Sequence, residues 1–432
     1  MHHLVQHVVP SWLAFCVLLL GLLGIEVLPH DMSTHRPAPE PADSSRKSMR
    51  ANRVLQRSPG EPILTWSEEE PVIDGGRSYS VIVVESSHHV SNLFRDKERV
   101  RAYSSEGGQV VRSVKFASAV PPAGSGDSGP PFAVAHPEGV DKRVRIVYIP
   151  SAAGPLSAQQ VSHLRAACED ESETTVVVIA DETCRWTLLG RNVPPACSNV
   201  VRIYPFNDIR RGEEEHHRIA YIPLGPRDTF PFIVPQRRRL ASLRPLLFTL
   251  NVTVRDSERR ANLVALVERY IGMNPEVKCS PPSKFVSPTQ WQDQLLDSRF
   301  TVSPAGHNAE TFRTWEALEA GSIPIVSQTD FTDPEYHHPP GVSCGEGSVG
   351  WNVVASSPFV KEVSVDDWDE LPELLHRLSK EPEDYINKLQ EDCMKWYSEI
   401  MEQTYRSMLN FGEGHELFPQ DGPLVYASEH DP

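Results

Sequence analysis

The feature that most constrains this chain is a set of short runs of apolar, largely β-branched residues with few polar residues inside them. The runs are Ser80–Glu85, Val144–Pro150, Thr174–Asp181, Val200–Phe206 and Ile219–Leu224. Such runs are typical of strands that are buried on both faces, and therefore of a parallel sheet. A helix predicted over Ser157–Cys168 separates two of them, which indicates an α/β fold for the first half of the chain.

The second half alternates more regularly between strand and helix patterns. The predicted strands are Leu246–Val254, a short one near Val277, Phe300–Pro304 and Ile323–Ser327, and the predicted helices are Ser257–Tyr270, Pro288–Leu296, Glu310–Ala320, Asp366–Leu378 and Glu383–Leu409. This order predicts a doubly wound α/β domain that binds its ligand at the carboxyl ends of the strands. We expect two such domains facing a cleft, with the ligand in the cleft.

Composition and charge exclude two other classes of protein. With 39% apolar residues the chain can form a packed core, which excludes wholesale disorder. A net charge of −16 excludes a general nucleic-acid binder, which needs a basic surface. The segment Arg237–Arg260 runs against this trend, with seven arginines and two acids. We expect this basic strip to attract a diphosphate or a phosphate-bearing acceptor.

The N-terminal segment Val8–Leu28 is apolar and just long enough to cross a bilayer. We expect an uncleaved type II signal anchor, with a cleaved signal peptide as the alternative. Either interpretation places the body of the protein in the lumen or outside the cell. The sequon Asn251-Val252-Thr253 agrees with that location, because N-glycans are added in the secretory pathway.

Six cysteines lie outside the apolar N-terminal segment, at positions 168, 184, 197, 279, 344 and 393. An even number agrees with an oxidising compartment, although the connectivity stays open and free buried cysteines are the alternative. Cys184 and Cys197 are close enough in sequence to close one small loop. No cysteine or histidine spacing is typical of a zinc site.

The segment Ser298–Val326 carries the clearest chemistry. A strand and a turn containing Gly306 precede a helix that is predicted to start at Asn308 or Glu310, and the amino end of such a helix is suited to a diphosphate. Arg313, one turn into the helix, could clamp a phosphate, and Glu316 could accept ribose hydroxyls. In the alternative interpretation, Asn308 only caps the helix and Arg313–Glu316 is a surface ion pair.

Other candidates for chemistry are less specific. Asp181 and Glu182 follow a buried strand, where active sites collect, and either could act as a general base; His88-His89 are the alternative. Asp367-Trp368-Asp369 has the D-x-D form of a metal motif, but aspartates at this position are expected to cap a helix. The pairs His216-His217 and His337-His338 are expected in solvated loops, and no metal site is predicted.

The segment around Gly306 resembles a known protein family. Its residues match the exostosin-type signature at Ser298, Phe300, Pro304, Gly306, Phe312-Arg313, Glu316-Ala317-Leu318 and Pro324. The finer pattern is similar to the ribitol xylosyltransferase family, in Asn308-x-Glu310, Arg313-x-Trp315-Glu316-Ala317 and Gly321-Ser322-Ile323-Pro324, with Trp315 where that family has tyrosine. The resemblance covers roughly residues 170–400 and is strong over about thirty of them.

This resemblance implies an inverting GT-B glycosyltransferase of the Golgi or endoplasmic reticulum, with two Rossmann-like domains. The donor would be a UDP-sugar, most directly UDP-xylose, and the acceptor a glycan such as ribitol phosphate on an O-mannosyl glycan. The donor-site residues would be Gly306, Asn308, Glu310, Arg313 and Glu316, with Glu182 or Asp181 as the base and no metal or other cofactor. Two alternatives are an exostosin-like glucuronosyl-, galactosyl- or arabinosyltransferase of polysaccharide synthesis, and an inactive member acting as a lectin or assembly partner.

These inferences give an expected domain order. It runs from a cytoplasmic tail (1–7) through a transmembrane anchor (8–28) and a Pro/Ser-rich stem (29–75) to an N-terminal acceptor-side α/β domain (76–240), a C-terminal nucleotide-sugar-binding α/β domain (241–415) and a tail (416–432). The expected topology is single-pass type II, with the catalytic domains in the lumen.

Overall fold

A computed structural model describes residues 65–67, 77–85, 109–118, 140–150, 155–180, 192–203, 218–227, 229–254, 258–283, 286–306, 309–332 and 350–411. The apolar N-terminal segment, most of the expected stem, the C-terminal tail, His88-His89, Asp181-Glu182, the pairs His216-His217 and His337-His338, and Asn308 lie outside these ranges. The described residues belong to one compact unit. No helix within those residues is long and apolar enough to cross a membrane.

The described part of the first half forms a seven-stranded sheet. Its strands are β1 (Thr65–Ser67), β2 (Arg77–Glu85), β3 (Gln109–Ser118), β4 (Lys142–Pro150), β5 (Thr174–Ala180), β6 (Asn199–Arg202) and β7 (Arg218–Tyr221). They lie in the order β1-β3-β2-β4-β5-β6-β7, and every pair is parallel except β1 with β3. The predicted parallel α/β sheet is therefore confirmed, with β1 and β3 as strands that the sequence did not reveal.

Helix α1 (Ala158–Glu169) packs on this sheet and is linked by a disulfide to the segment before β6. Ser157 and Gln160 form a capping box at its amino end, which explains why the helix starts there. A disulfide joins Cys168, near the end of α1, to Cys197, just before β6. The suggested loop between Cys184 and Cys197 is therefore wrong. The reason is spatial: α1 and the segment before β6 share one apolar cluster, in which Leu164 and Cys197 are both buried.

The second half forms a four-stranded, fully parallel sheet within the described residues. Its strands are β8 (Leu246–Asn251), β9 (Cys279–Ser283), β10 (Ser298–Val302) and β11 (Ile323–Ile325), in the order β11-β10-β8-β9. Phe248, Phe300 and Ile323 lie side by side across β8, β10 and β11, and all three are buried. After β9 the chain crosses back to the other side of β8, so the strand order reverses between β8 and β10.

The helices of the second half follow the predicted alternation. They are α2 (Glu258–Met273), α3 (Pro288–Asp297), α4 (Phe312–Glu319), α5 (Thr329–Thr332), α6 (Gly350–Ala355), α7 (Pro358–Val363), α8 (Leu371–Leu378) and α9 (Glu383–Leu409). The predicted bounds of α9 are confirmed. The helix predicted over Asp366–Leu378 is instead a short 3-10 turn, Trp368–Glu370, followed by α8, and Asp367 caps the turn by accepting a hydrogen bond from the backbone of Asp369.

Helix α4 begins later than predicted and ends where predicted. Its N-cap is Thr311, so neither Asn308 nor Glu310 starts it, and Arg313 lies in its first turn. At the other end Gly321 has φ of +68°, which favours glycine. The backbone N–H of Gly321 donates to Leu318 and that of Ser322 donates to Ala317, a Schellman motif that satisfies the last carbonyls of the helix.

The basic strip Arg237–Arg260 is divided by the fold. Arg244 is only 1% exposed, and its guanidinium donates to the carbonyls of Arg239, Leu295, Ser298 and Ala320 at 2.8–3.1 Å. Burial, chiefly, lowers the pKa of Arg244 to about 10. The expectation that the whole strip faces an anion is wrong for Arg244, which joins the segment before β8 to the ends of α3 and α4.

Candidate donor site

A cavity of about 330 Å³ lies at the carboxyl ends of β8 and β10. Asn251 and Thr253, after β8, and Gly306 and Thr311, after β10, line one part of it. The strand order reverses between these two strands, and ligands of doubly wound sheets bind in the crevice formed at such a reversal. The cavity therefore lies where the sequence predicts a ligand.

The remaining wall comes from the connection between the two sheets and from α3 and α4. Its residues are Leu224, Arg227, Thr229, Phe230, Arg260, Val286, Pro288, Trp291, Glu310, Phe312, Arg313 and Glu316. No described residue of the first sheet's strands is among them. Three arginines and two glutamates thus face one small space, so the cavity is both charged and selective for polar ligands.

Two arginines fix the loops that follow β8 and β10. Arg313 donates through Nε to the carbonyl of Asn251 at 2.7 Å and through Nη1 to the carbonyl of Pro304 at 3.2 Å, so it joins the two loops directly. Arg260, from α2, donates through Nε and Nη2 to the carbonyl of Ala305 at 2.9 and 2.7 Å. Both guanidinium groups are therefore partly engaged by backbone carbonyls, and they place positive charge at the cavity wall.

Asp330 holds the other side of the same peptide. Its carboxylate accepts hydrogen bonds from the backbone N–H of Ala305 at 2.8 Å and from the indole of Trp368 at 3.1 Å. It is 2% exposed, and burial raises its pKa to about 6 despite these bonds and the nearby charge of Arg259. Ala305 is thus held from both sides, and the backbone leading to Gly306 is rigid before any ligand binds.

The amino end of α4 faces this loop without a side-chain cap. The hydroxyl of the N-cap residue Thr311 accepts no hydrogen bond from the helix backbone. It lies instead 3.4 Å from the hydroxyls of both Ser303 and Thr314, which are 2.7 Å from each other. An uncapped helix terminus offers N–H groups and the positive end of the helix dipole to an anion.

Glu316 faces the cavity from the next turn of α4. It is 5% exposed, and its Oε2 accepts a 2.7 Å hydrogen bond from the indole Nε1 of Trp291 in α3. Its Oε1 lies 3.9 Å from Nε of Arg227, whose guanidinium stands 5.3 Å from the centre of the Phe312 ring. A carboxylate held in this way is oriented before a ligand arrives. It is not the surface pair with Arg313 considered as an alternative.

Glu310 lines the cavity, and two hydrogen bonds hold its carboxylate in place. Its Oε1 accepts hydrogen bonds from the backbone N–H of Leu224 at 2.6 Å and from the indole of Trp315 at 2.9 Å. Leu224 belongs to the connection that leaves the first sheet. Glu310 therefore joins the two halves of the chain at the cavity wall, and Trp315 is a core residue with no exposed surface.

Of the residues predicted for the donor site, the structure brings together Gly306, Glu310, Arg313 and Glu316. Asn308 lies outside the described residues, as do Glu182 and Asp181. Trp291, Arg227 and Asp330 were missed. Only their spatial contacts reveal them, although the position of Asp330 just after β11, at the same edge of the sheet, was a usable signal.

Among the described residues, no group of three or more His, Cys, Asp or Glu side chains is arranged to hold a metal ion. The Asp367-Trp368-Asp369 motif belongs to the cap of the 3-10 turn, and the indole of Trp368 bonds to Asp330. These side chains therefore serve local structure.

Two solved structures align with this chain over most of its length. A sucrose-phosphate synthase from Thermosynechococcus elongatus aligns with a TM-score of 0.40 and 11% identity, over 78% of this chain and 98% of its own length. A DNA-modifying β-glucosyltransferase aligns with a TM-score of 0.36 and 12% identity, over 77% of this chain and 97% of its own.

Two relatives match part of the chain in sequence. A protein named ribitol-5-phosphate xylosyltransferase 1 from Danio rerio is 26% identical over 182 residues, which cover 40% of this chain and 39% of the relative. The protein of the same name from Homo sapiens is 25% identical over 156 residues, which cover 34% of this chain and 33% of the relative. The chain thus spans well under half of the length of either relative.

A family match is placed at known residues of the chain. Residues 227–413 match the family described as RXYLT1 C-terminal domain, and this range includes the cavity wall from Arg227 onward. The resemblance predicted from the segment around Gly306 is therefore confirmed. Over residues 227–413, the chain is similar to the ribitol xylosyltransferase family.

Proposed function

We propose that the protein is a glycosyltransferase that binds a UDP-sugar in the cavity at the ends of β8 and β10 and transfers the sugar with inversion. The observation that carries this proposal is the convergence of three features on one cavity: the reversal of strand order, the uncapped amino end of α4, and Arg313 joining the two loops. The diphosphate would lie against Gly306 and the first turn of α4, and the nucleoside toward Glu316 and Trp291.

In this reaction the acceptor hydroxyl oxygen bonds to the anomeric carbon while the bond from that carbon to the diphosphate breaks. A general base removes the hydroxyl proton, and UDP leaves with its electron pair. Arg313, Arg260 and the N–H groups of α4 would stabilise the charge that develops on the leaving diphosphate. Because backbone carbonyls hold Arg313 and Arg260, and Asp330 holds the peptide before Gly306, little reorganisation is needed during the reaction.

The general base is proposed to come from the first half of the chain. Glu182 and Asp181 follow β5 and remain the candidates, with His88-His89 after β2 as the alternative. The proposed donor is UDP-xylose and the proposed acceptor a ribitol phosphate on an O-mannosyl glycan, by analogy with the named relatives. No metal or other cofactor is included in the proposal.

The proposed location is the lumen of the Golgi or endoplasmic reticulum, with Val8–Leu28 as the membrane anchor. The disulfide between Cys168 and Cys197 supports an oxidising compartment. Protease digestion of intact and of permeabilised microsomes tests this topology: we expect the body to be cleaved only after permeabilisation. Cleavage in intact microsomes would contradict it.

A donor screen tests the proposed activity. The purified protein is incubated with single UDP-sugars and a ribitol-phosphate glycan, and mass spectrometry records the added sugar. A gain of one pentose with UDP-xylose supports the proposal, and a gain of hexose or hexuronic acid assigns the exostosin-like alternative. Absence of both transfer and UDP binding with every donor indicates the inactive lectin-like alternative.

A further inference from the structure

The sequon Asn251-Val252-Thr253 lies in the wall of the cavity. Asn251 is the last residue of β8, and both Asn251 and Thr253 line the cavity, while the side chain of Val252 between them is buried. A sequon that carries a glycan normally lies on a free surface. This one instead occupies the carboxyl end of a central strand, at the reversal of strand order.

The backbone of the sequon is part of the framework of the site. The carbonyl of Asn251 accepts the 2.7 Å hydrogen bond from Arg313, and the carbonyl of Thr253 accepts a 3.0 Å hydrogen bond from Nη1 of Arg260. These bonds fix the position of Asn251 relative to the two arginines. The backbone at Asn251 cannot shift without breaking the contact that joins the loops.

The side chain of Asn251 is different, because its amide makes no hydrogen bond with any residue that the structure describes. It is half-buried and carries one oxygen acceptor and two N–H donors. Because Asn251 lines a polar cavity, this amide is available to donate and accept hydrogen bonds with a bound ligand. We propose that Asn251 contacts the bound ligand through its amide, and that N-glycosylation of Asn251 and ligand binding exclude each other.

The exclusion follows from volume and from chemistry. An N-glycan is attached through the same amide nitrogen, so the modification consumes a donor and anchors a sugar at the cavity wall. A glycan on Asn251 would begin at the wall of the cavity of about 330 Å³, where it would compete with a nucleoside diphosphate sugar for the same space. The active protein therefore carries an unmodified Asn251, although the sequon is present. This inference rests on the proposed function, because the ligand is taken to be a UDP-sugar.

The test compares wild-type full-length protein from two sources. Protein from a mammalian secretory pathway is separated by lectin affinity into glycosylated and unglycosylated fractions, and peptide mass spectrometry reads the occupancy of Asn251. Protein from the bacterial periplasm, where disulfides form, supplies a form without N-glycans. UDP affinity is measured for each by calorimetry. We expect Asn251 to be unmodified in protein that binds UDP, and any glycosylated fraction to bind UDP at least tenfold more weakly.

Two variants produced in the periplasm separate the role of the amide from the effect of the glycan. Asn251→Gln displaces the amide and is expected to weaken UDP binding at least fivefold, whereas Asn262→Gln, at an exposed position on α2, is expected to have no effect. Equal UDP affinity of glycosylated and unglycosylated protein, or of Asn251→Gln and wild type, would overturn the inference. If unglycosylated wild-type protein binds no UDP, the proposed function is wrong, and the inference, which rests on it, is wrong as well.

Discussion

The indole Nε1 of Trp291 donates a 2.7 Å hydrogen bond to Oε2 of Glu316, and both side chains are more than nine-tenths buried at the wall of one cavity. The bond joins α3 to α4 and fixes the carboxylate plane of Glu316. The second oxygen, Oε1, is left facing Arg227 at 3.9 Å. The pair therefore presents a pre-oriented acceptor to whatever enters the cavity.

Replacing Trp291 by Phe keeps most of the aromatic body and removes the indole donor. Because Glu316 then loses a fixed orientation, we expect UDP affinity to fall about 5- to 20-fold, which corresponds to roughly 1–2 kcal/mol. Affinity for pyrophosphate should not change, since Glu316 is placed on the nucleoside side. Calorimetric titration with both ligands checks this, and an equal loss for both would contradict the placement.

Arg313→Ala removes the side chain that joins the loops after β8 and β10. We expect UDP affinity to fall about 10- to 100-fold, because a charged donor to the diphosphate and the alignment of both loops are lost together. The fold should persist, as judged by a cooperative thermal transition. Arg377→Ala, which removes an exposed arginine of α8, is the matched control, and a similar affinity for both variants would refute the role of Arg313.

Arg244→Ala is expected to destabilise the fold by about 3–5 kcal/mol, because it leaves three buried carbonyl groups and one partly buried carbonyl group without their donor. Urea unfolding followed by circular dichroism measures the change. The exposed neighbour Arg237 provides the control, since its replacement by alanine should change stability by less than about 0.5 kcal/mol. A loss below about 1 kcal/mol for Arg244→Ala would show that the hydrogen-bonded cluster is not structural.

The raised pKa of Asp330 leads us to expect that the stability of the fold depends on pH. Its pKa is raised to about 6 in the folded protein, above its ordinary value of 3.8, so the folded state takes up the proton first as pH falls. Relative to Asp330→Asn, the wild type should therefore gain stability as pH is lowered from about 7 to about 4, by on the order of 3 kcal/mol in total. Urea unfolding of both proteins between pH 4 and 8 checks this, and parallel curves would contradict it.

The strand and helix order of the second half was predictable because its apolar runs and helical periods are long and well separated. Strand β3 was not, because Arg112, Ser113 and Lys115 interrupt its apolar run. The start of α4 at Phe312 was also missed. Asp330 and Arg260, which are remote in sequence, hold Ala305 in the segment before α4, and local pattern does not reveal such contacts.

The candidate site was predicted only in part, because some of its residues are close in sequence and others meet only in the folded protein. Gly306, Arg313 and Glu316 lie in one segment with a recognisable spacing, whereas Trp291 and Arg227 join the cavity only through folding. For Arg244 the prediction from the sequence was wrong in the other direction, because it placed in the site a residue that is part of the core. As one of seven arginines in a basic strip it suggested anion binding, yet carbonyl groups from three separate parts of the chain surround it. A charged residue type in the sequence does not reveal whether its side chain is buried in the fold.

The cavity between the ends of β8 and β10 is proposed to bind the nucleotide of a UDP-sugar. Hydrogen–deuterium exchange with and without saturating UDP tests it most directly, because it reports where the ligand binds. We predict slower exchange in peptides that cover residues 248–254 and 303–316, and no change in the peptide that covers α8. Saturable UDP binding that leaves both regions unprotected would show that UDP binds elsewhere on the protein.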